Sequence, residues 1–113
     1  MDSLFYFVPM RALVIQELNE LPQLQTLNLN CGEKLKVETQ YSALNHRDLW
    51  ITKGKYPGIK KGVILGSDAS VLYQNRRYII NPGLNWGPIE SHQSQKFHVL
   101  GLPSHGTFSD QIC

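Results

Sequence analysis

Turn-forming residues interrupt this sequence so often that no helix or strand in it can be long. The 113 residues include nine Gly and six Pro, and the apolar stretches between them are short. Glycine weakens regular elements and proline cannot continue a central strand. Short strands, frequent turns and one small helix are typical of a mostly β, barrel-like domain. The length allows a single domain with one core.

Five segments have the composition of strands. Residues 11–15 are apolar and indicate a buried strand, whereas residues 24–29 alternate only weakly. Residues 34–41 place Leu, Val, Thr and Tyr on one face and charged or amide groups on the other, which favours a strand. Residues 71–73 and 78–80 flank four polar residues and predict a tight hairpin.

A short helix is predicted over residues 46–53. Asn45 is a favoured capping residue, Asp48 stands at the third helical position, and Gly54 stands where a helix would end. Residues 84–98 lack periodicity and predict an irregular surface excursion. Residues 106–110 are expected to lead into a last strand.

The charge balance excludes two classes of partner. Eleven basic residues against nine acidic ones give a formal net charge of +2, and the basic residues are scattered. We therefore expect neither nucleic-acid binding nor attachment to an anionic membrane. An apolar content of 42% is also too high for a disordered chain.

The two cysteines, Cys31 and Cys113, are far apart in the sequence. This spacing makes a disulfide scaffold an improbable interpretation, so a reducing cytoplasm is the expected location. Residues 1–9 are apolar but lack the basic start and cleavage site of a signal peptide. No apolar run is long enough to span a bilayer.

Six short segments, in this order, resemble the catalytic domain of the medium-chain dehydrogenase/reductases, which include zinc alcohol dehydrogenases and quinone oxidoreductases. They are MRALV at 10–14, SALNHRDLW at 42–50, GKYPG at 54–58, ILGSD at 64–68, IINPG at 79–83 and GTFSD at 106–110. The resemblance implies a GroES-like, partly open β-barrel over residues 10–113, truncated before the nucleotide-binding domain. Residues 1–9 would be an N-terminal extension.

The resemblance points to the branch of this superfamily that works without zinc. Zinc-dependent members have Cys and His where this chain has Asn45 and Ser67, and an amide and a hydroxyl are poor zinc ligands. Residues 85–92 contain none of the cysteines of a structural zinc site. The four histidines are scattered and do not have metal-ligand spacing. Zinc-free relatives transfer hydride from NADPH to a quinone or an enone.

The resemblance also implies roles for individual side chains. Asn45 and Asp48 would act in catalysis, and Asn45 and His46 would approach the cofactor. For each of them a simpler interpretation stays open: Asn45 caps a helix, His46 is an exposed loop residue, and Asp48 complements the helix dipole.

The substrate pocket would be lined by Trp50, Tyr56 and Ser67. Packing in the core explains Trp50 equally well.

No Gly-x-Gly-x-x-Gly sequence occurs in the chain. The phosphate-binding turn of a Rossmann-type domain is therefore missing, and we expect no NADPH to bind to this chain alone. Two functions follow as alternatives. The chain is a portion of an NADPH-dependent oxidoreductase that needs the missing Rossmann-type domain as its partner, or it is a stand-alone GroES-like binding or assembly module. A zinc alcohol dehydrogenase domain that lost its ligands is a third interpretation. Each is compatible with a homo-oligomer.

Overall fold

A computed structural model describes residues 10–28 and 31–113. The predicted N-terminal extension, residues 1–9, lies outside the described residues. The described part folds into short strands and one helix. In chain order these are β1 (Met10–Val14), β2 (Gln23–Leu27), β3 (Val37–Ala43), α1 (His46–Thr52), β4 (Asp68–Tyr73), β5 (Arg76–Ile79), β6 (Gly83–Leu84), β7 (His98–Leu100), β8 (Pro103–Ser104) and β9 (Gln111–Ile112).

The strands form three sheets. Strands β1 and β2 pair antiparallel, a four-stranded antiparallel sheet has the order β5-β4-β3-β9, and a three-stranded sheet has the order β6-β7-β8 with β7 and β8 parallel. The prediction of a mostly β fold is confirmed. The sheets do not join into one closed barrel within the described ranges. No helix there is long and apolar enough to cross a membrane.

The apolar run at 63–65 connects two parts of the core. It lies beside β1, where the N–H of Ile15 donates to the carbonyl of Val63 at 3.1 Å and that of Leu65 to Leu13 at 3.1 Å. In extended backbone, successive side chains point to opposite sides. Val63 and Leu65 accordingly pack near α1 with Ile15, Ile51 and Leu102, whereas Ile64 packs under β1.

The predicted hairpin is confirmed with a shorter connection than expected. Strands β4 and β5 are joined by Gln74 and Asn75, which both have positive φ, 48° and 64°. Two such residues make a two-residue turn whose twist matches that of the strands. Arg76 and Arg77, predicted in the connection, belong to β5 and pair with Tyr73 and Leu72.

Strand β3 begins three residues later than predicted and contains an irregularity. Its register with β4 shifts between Thr39 and Tyr41. A bulge of this kind breaks the alternation of side chains between the two faces. Val37 and Thr39 are half-buried, but Tyr41, predicted on the same face, is 75% exposed.

The predicted helix is confirmed as α1. It begins after Asn45, and Lys53 is its C-cap. Gly54 follows with a positive φ of 71°, which glycine adopts without steric cost, and its N–H donates to the carbonyl of Ile51.

The expectation that the cysteines are unpaired is wrong, because Cys31 and Cys113 form a disulfide with a Cα–Cα distance of 5.3 Å. The cysteines are 82 residues apart in sequence. The predicted last strand forms as β9, and its pairing with β3 sets Ile112 opposite Val37. This pairing brings the residue after β9 next to the turn before β3, which sequence spacing alone could not indicate.

The segment between β6 and β7 is irregular, as predicted, but it is held by its own contacts. The Ser94 hydroxyl donates to the carbonyl of Asn85 at 2.6 Å. The rings of Trp86 and Phe97 meet edge to face, with their centroids 5.2 Å apart. The excursion therefore forms a closed loop.

Candidate functional site

Asn45, Asp48, Ser67 and Asp68 come together where α1 begins, and we call this group the α1 cluster. The Asn45 side-chain Nδ2 donates to Asp68 Oδ2 at 2.9 Å and lies 3.5 Å from Ser67 Oγ. An ionised carboxylate can only accept, so this contact fixes which end of the Asn45 amide faces Asp68. The structure thus brings together the predicted residues Asn45 and Ser67. Asp68 was not predicted as a site residue, although it lies within the ILGSD segment.

Asp48 is buried, with 1% of its surface exposed. Its Oδ2 accepts a hydrogen bond of 3.0 Å from the backbone N–H of Asn45, as part of a capping box. Its Oδ1 is also buried and has no hydrogen-bond partner within the described ranges. A buried carboxylate oxygen without a donor is costly. Among the buried side-chain atoms of the α1 cluster, it is the one that lacks a donor from the described residues.

A glycine turn holds Ser67 in place. Gly66 has a φ of 97°, and a Cβ at this position would lie 2.5 Å from the Phe108 ring and 2.6 Å from Thr107 Oγ1. Only glycine fits there. Thr107 is fully buried, and its hydroxyl donates to the backbone carbonyl of Asp68 at 2.9 Å. Ser67 is consequently fixed and only 7% exposed.

Arg47 was not predicted to have a role, yet it joins α1 to the segment between β7 and β8. Its guanidinium donates to the Tyr56 hydroxyl at 3.1 Å and to the carbonyls of Leu100 and Leu102 at 3.0 and 2.7 Å. It also lies 5.0 Å from the centre of the Tyr56 ring. Since the partners are mostly backbone carbonyls from a distant segment, no sequence signal could identify this residue.

His46 and Trp50 lie on the exposed side of α1. The His46 ring is exposed and makes no hydrogen bond with the described residues. Trp50 is 45% exposed, and the ammonium group of Lys53 lies 5.7 Å from its ring centre. The predicted contacts of these two residues with cofactor and substrate stay predictions.

Two cavities open elsewhere on the surface. The larger one, about 800 Å³, lies between the four-stranded and three-stranded sheets. The smaller one, about 440 Å³, lies beside β1 and β3. The predicted pocket residues Trp50, Tyr56 and Ser67 line neither of them. In the described ranges, no three His, Cys, Asp or Glu side chains are close enough to hold a metal ion.

An exposed ion pair borders the smaller cavity. Arg11 donates from its backbone N–H to Asp110 Oδ2 at 2.8 Å and from its side-chain Nε to the same oxygen at 3.2 Å. The hydrogen bonds from Arg11 lower the pKa of Asp110, and the pair raises the pKa of Arg11. This pair holds the segment before β9 against β1.

No protein-family model matches the chain, and no curated protein matches it with significance. The family resemblance therefore depends on the six segments described above.

Proposed function

We propose that this chain is the catalytic-domain portion of an NADPH-dependent, zinc-independent oxidoreductase of the medium-chain dehydrogenase/reductase type. One observation carries the proposal. Asn45 and Ser67 are 22 residues apart in sequence, yet their side chains approach to 3.5 Å. By resemblance, these are the positions of the Cys and His that bind zinc in metal-dependent relatives. The resemblance requires these two side chains to lie close together.

The order of elements supports the same proposal. A strand, β3, leads into a short helix that begins next to Asn45, and the Gly66 turn follows before β4. We propose that the three sheets are parts of a GroES-like, partly open barrel over residues 10–113. The enzyme would be completed by a Rossmann-type domain, without which the chain would be inactive.

The residues present fit a role beside a nucleotide cofactor. When bound, NADPH would supply the hydride, and this chain would orient the reactants. Asn45, held by its contact with Asp68, would be one contact to the cofactor, and the exposed ring of His46 would be another. The unpartnered Oδ1 of Asp48 would accept a hydrogen bond in the completed site.

The substrate would be a quinone or an enone. Trp50, Tyr56 and Ser67 would line its pocket together with residues of the proposed Rossmann-type domain. The Tyr56 hydroxyl accepts a hydrogen bond from Arg47, so its own proton is still available for donation. The amide and hydroxyl at positions 45 and 67 are poor ligands for zinc, and we propose no metal step.

The test uses the protein that the complete reading frame encodes. That frame should continue past Cys113 into a Gly-rich strand-turn-helix, and its product should bind NADPH and oxidise it in the presence of quinones or enones. A stop codon after Cys113, or a product that binds no NADPH, would refute the proposal.

Asn45→Ser tests the role of the Asn45 amide in the same protein. Serine caps helices as well as asparagine does, so α1 should persist while the amide is lost. We expect kcat/KM to fall by about 10- to 100-fold, since one positioned hydrogen bond is removed. Asn81→Ser, which lies outside the α1 cluster, should leave turnover unchanged.

A second candidate function has its own observation. Leu24, Tyr41 and Leu44 are 66%, 75% and 81% exposed and surround the 440 Å³ cavity. Grouped apolar side chains of this kind mark contact surfaces. They support a stand-alone GroES-like binding or assembly module, including a homo-oligomer. Sedimentation of the chain and of Leu44→Asp would decide: a concentration-dependent oligomer that the variant abolishes favours the module.

Cytoplasmic location is part of the first proposal, and the disulfide makes it testable. In a reducing cytoplasm, Cys31 and Cys113 should both react with an alkylating reagent when cells are lysed in its presence. Two protected cysteines would contradict a cytoplasmic location.

A further inference from the structure

A serine and a histidine meet on the three-stranded sheet, away from the α1 cluster. Ser104 Oγ in β8 lies 2.8 Å from Nε2 of His98 in β7. The other ring nitrogen of His98, Nδ1, lies 3.0 Å from the backbone carbonyl oxygen of Lys96. The contacts form a chain of three groups: hydroxyl, imidazole and carbonyl.

The carbonyl determines how the protons are arranged. A carbonyl oxygen only accepts, so Nδ1 of His98 must carry the hydrogen that points to Lys96. In a neutral imidazole the other nitrogen, Nε2, then has a free lone pair. The Ser104 hydroxyl therefore donates to Nε2. This is the arrangement in which a histidine can take the proton of a serine nucleophile.

The neighbouring histidine, His105, has a different arrangement. The Nδ1 of His105 accepts a hydrogen bond of 3.2 Å from the backbone N–H of Ile64. Its Nδ1 therefore carries no hydrogen, the opposite of the state at His98. Within the described ranges, His105 makes no hydrogen bond with a serine side chain.

The serine opens onto a space where a substrate can lie. Ser104 lines the cavity of about 800 Å³ between the two larger sheets. Leu84, Leu100 and Ile112 are among the apolar residues that line this cavity. An apolar wall suits the acyl chain of an ester.

The backbone holds the serine firmly. Strands β7 and β8 are parallel neighbours, with Leu100 opposite Ser104. The N–H of Gly101 donates to the carbonyl of Ser104 at 3.0 Å. A nucleophile on paired strands is positioned more precisely than one on a free loop.

We propose that Ser104 and His98 form a nucleophile and general base that hydrolyse small carboxylic esters with apolar acyl groups. The activity is separate from the proposed hydride transfer and does not depend on it. Ser104 would be the catalytic nucleophile, His98 the catalytic base, and the Lys96 carbonyl a positioning group for the imidazole.

The reaction proceeds in two steps, acylation of Ser104 and hydrolysis of the acyl group. Ser104 Oγ attacks the ester carbonyl carbon while its proton passes to His98 Nε2. The bond between the carbonyl carbon and the leaving oxygen then breaks, the leaving alcohol takes the proton from Nε2, and an acyl group stays on Ser104. Solvent water attacks the acyl carbon and gives a proton to His98. That proton returns to Ser104 as the acid leaves.

The experiment uses the full chain, with p-nitrophenyl butyrate as the substrate and a fluorophosphonate as the labelling reagent. We expect hydrolysis above the buffer rate and a single adduct that peptide mass spectrometry locates at Ser104. Ser104→Ala and His98→Gln should each lower the rate by at least about 100-fold. Ser91→Ala and His92→Gln, matched changes in the exposed loop, should leave it unchanged.

Several outcomes would overturn the proposal. These are hydrolysis no faster than in buffer, an adduct on another residue, or full activity in Ser104→Ala. The labelled residue can be identified in the unaltered chain. This part of the test therefore does not depend on whether a variant folds. Addition of NADPH should change neither rate nor labelling, which distinguishes this activity from the proposed reductase.

Discussion

The α1 cluster and the Ser104–His98 pair differ in their relation to the two cavities. The α1 cluster is tied together by its own hydrogen bonds and lines neither cavity, whereas Ser104 faces the larger one. The first site joins two segments, residues 45–48 and 67–68, that both fall within readable motifs. The second arises only because β7 and β8 pair. A recognisable motif thus identifies positions that pack together, and accessibility depends on tertiary structure.

Gly106, near Ser104, packs closely against the backbone of Gly66, next to Ser67 of the α1 cluster. A substitution at Gly106 should have the largest effect on stability. A Cβ on Gly106 would clash with the carbonyl of Gly66 and lie 2.6 Å from that of Leu65. Backbone atoms cannot move aside, so we expect Gly106→Ala to lower the free energy of unfolding by about 4 kcal/mol or more.

Gly58→Ala is the matched control for that variant. A Cβ at Gly58 meets nothing within 4 Å, and only its positive φ of 73° opposes alanine. We expect a cost of about 1 kcal/mol, measured by denaturant unfolding. Equal costs for the two variants would show that the glycine contact is unimportant.

Reduction of the disulfide should destabilise the region around β9 more than the region around α1. The Cys31–Cys113 bond links residues 82 apart, and its loss should cost roughly 3 kcal/mol. Cys113 lines the larger cavity, and β9 pairs with β3 through only two residue pairs. Hydrogen exchange after reduction should therefore speed up more at Ile112 than at Ile51 in α1. Uniform loss of protection would contradict this separation.

Arg47 couples the regions through side-chain hydrogen bonds. Arg47→Met keeps the length of the side chain but leaves the carbonyls of Leu100 and Leu102 without their donor. We expect a loss of about 2 kcal/mol in unfolding experiments and slower labelling of Ser104. Arg76→Met, on exposed strand β5, should cost less than about 0.5 kcal/mol. Unchanged labelling in a destabilised Arg47 variant would show that the sites are independent.

The smallest effect on stability is expected at the ion pair of Arg11 and Asp110, which borders the smaller cavity. Arg11 lowers the pKa of Asp110, mainly through its side-chain hydrogen bond. A lowered pKa in the folded state stabilises the protein above the unfolded pKa, and this contribution is lost as the pH falls through the folded pKa.

Arg11→Met should therefore raise the pKa of Asp110 towards its ordinary value and weaken the acid dependence of stability. Carbon-detected NMR titration of the carboxyl group measures this change. Arg77→Met is the control. If the pKa of Asp110 does not rise in Arg11→Met, the side chain of Arg11 is not the main cause of its lowering.

Local patterns predicted the local elements well. Asn45, Asp48 and Gly54 defined α1 to within one residue, because capping depends on neighbours in sequence. The polar residues at 74–77 predicted a hairpin for the same reason. The start of β3, its bulge and the disulfide were missed, since each depends on the partner strands β4 and β9.

In the candidate sites, too, the features that depend on sequence neighbours could be predicted and those that depend on the fold could not. Asn45 and Ser67 could be singled out from sequence, but the contact of Asn45 with Asp68 required the fold. Arg47 and the Ser104–His98 pair could not be predicted, because backbone carbonyls and strand pairing create their roles.

The most direct test of hydride transfer is isotopic. The product of the complete reading frame is incubated with NADPH carrying deuterium at the reactive C4 position and with a small enone, and the reduced product is analysed by mass spectrometry. We expect one deuterium in the product from one of the two C4-labelled forms, and much less in Asn45→Ser at equal protein concentration. A reduced product without deuterium from either form, or no reduction at all, would contradict it.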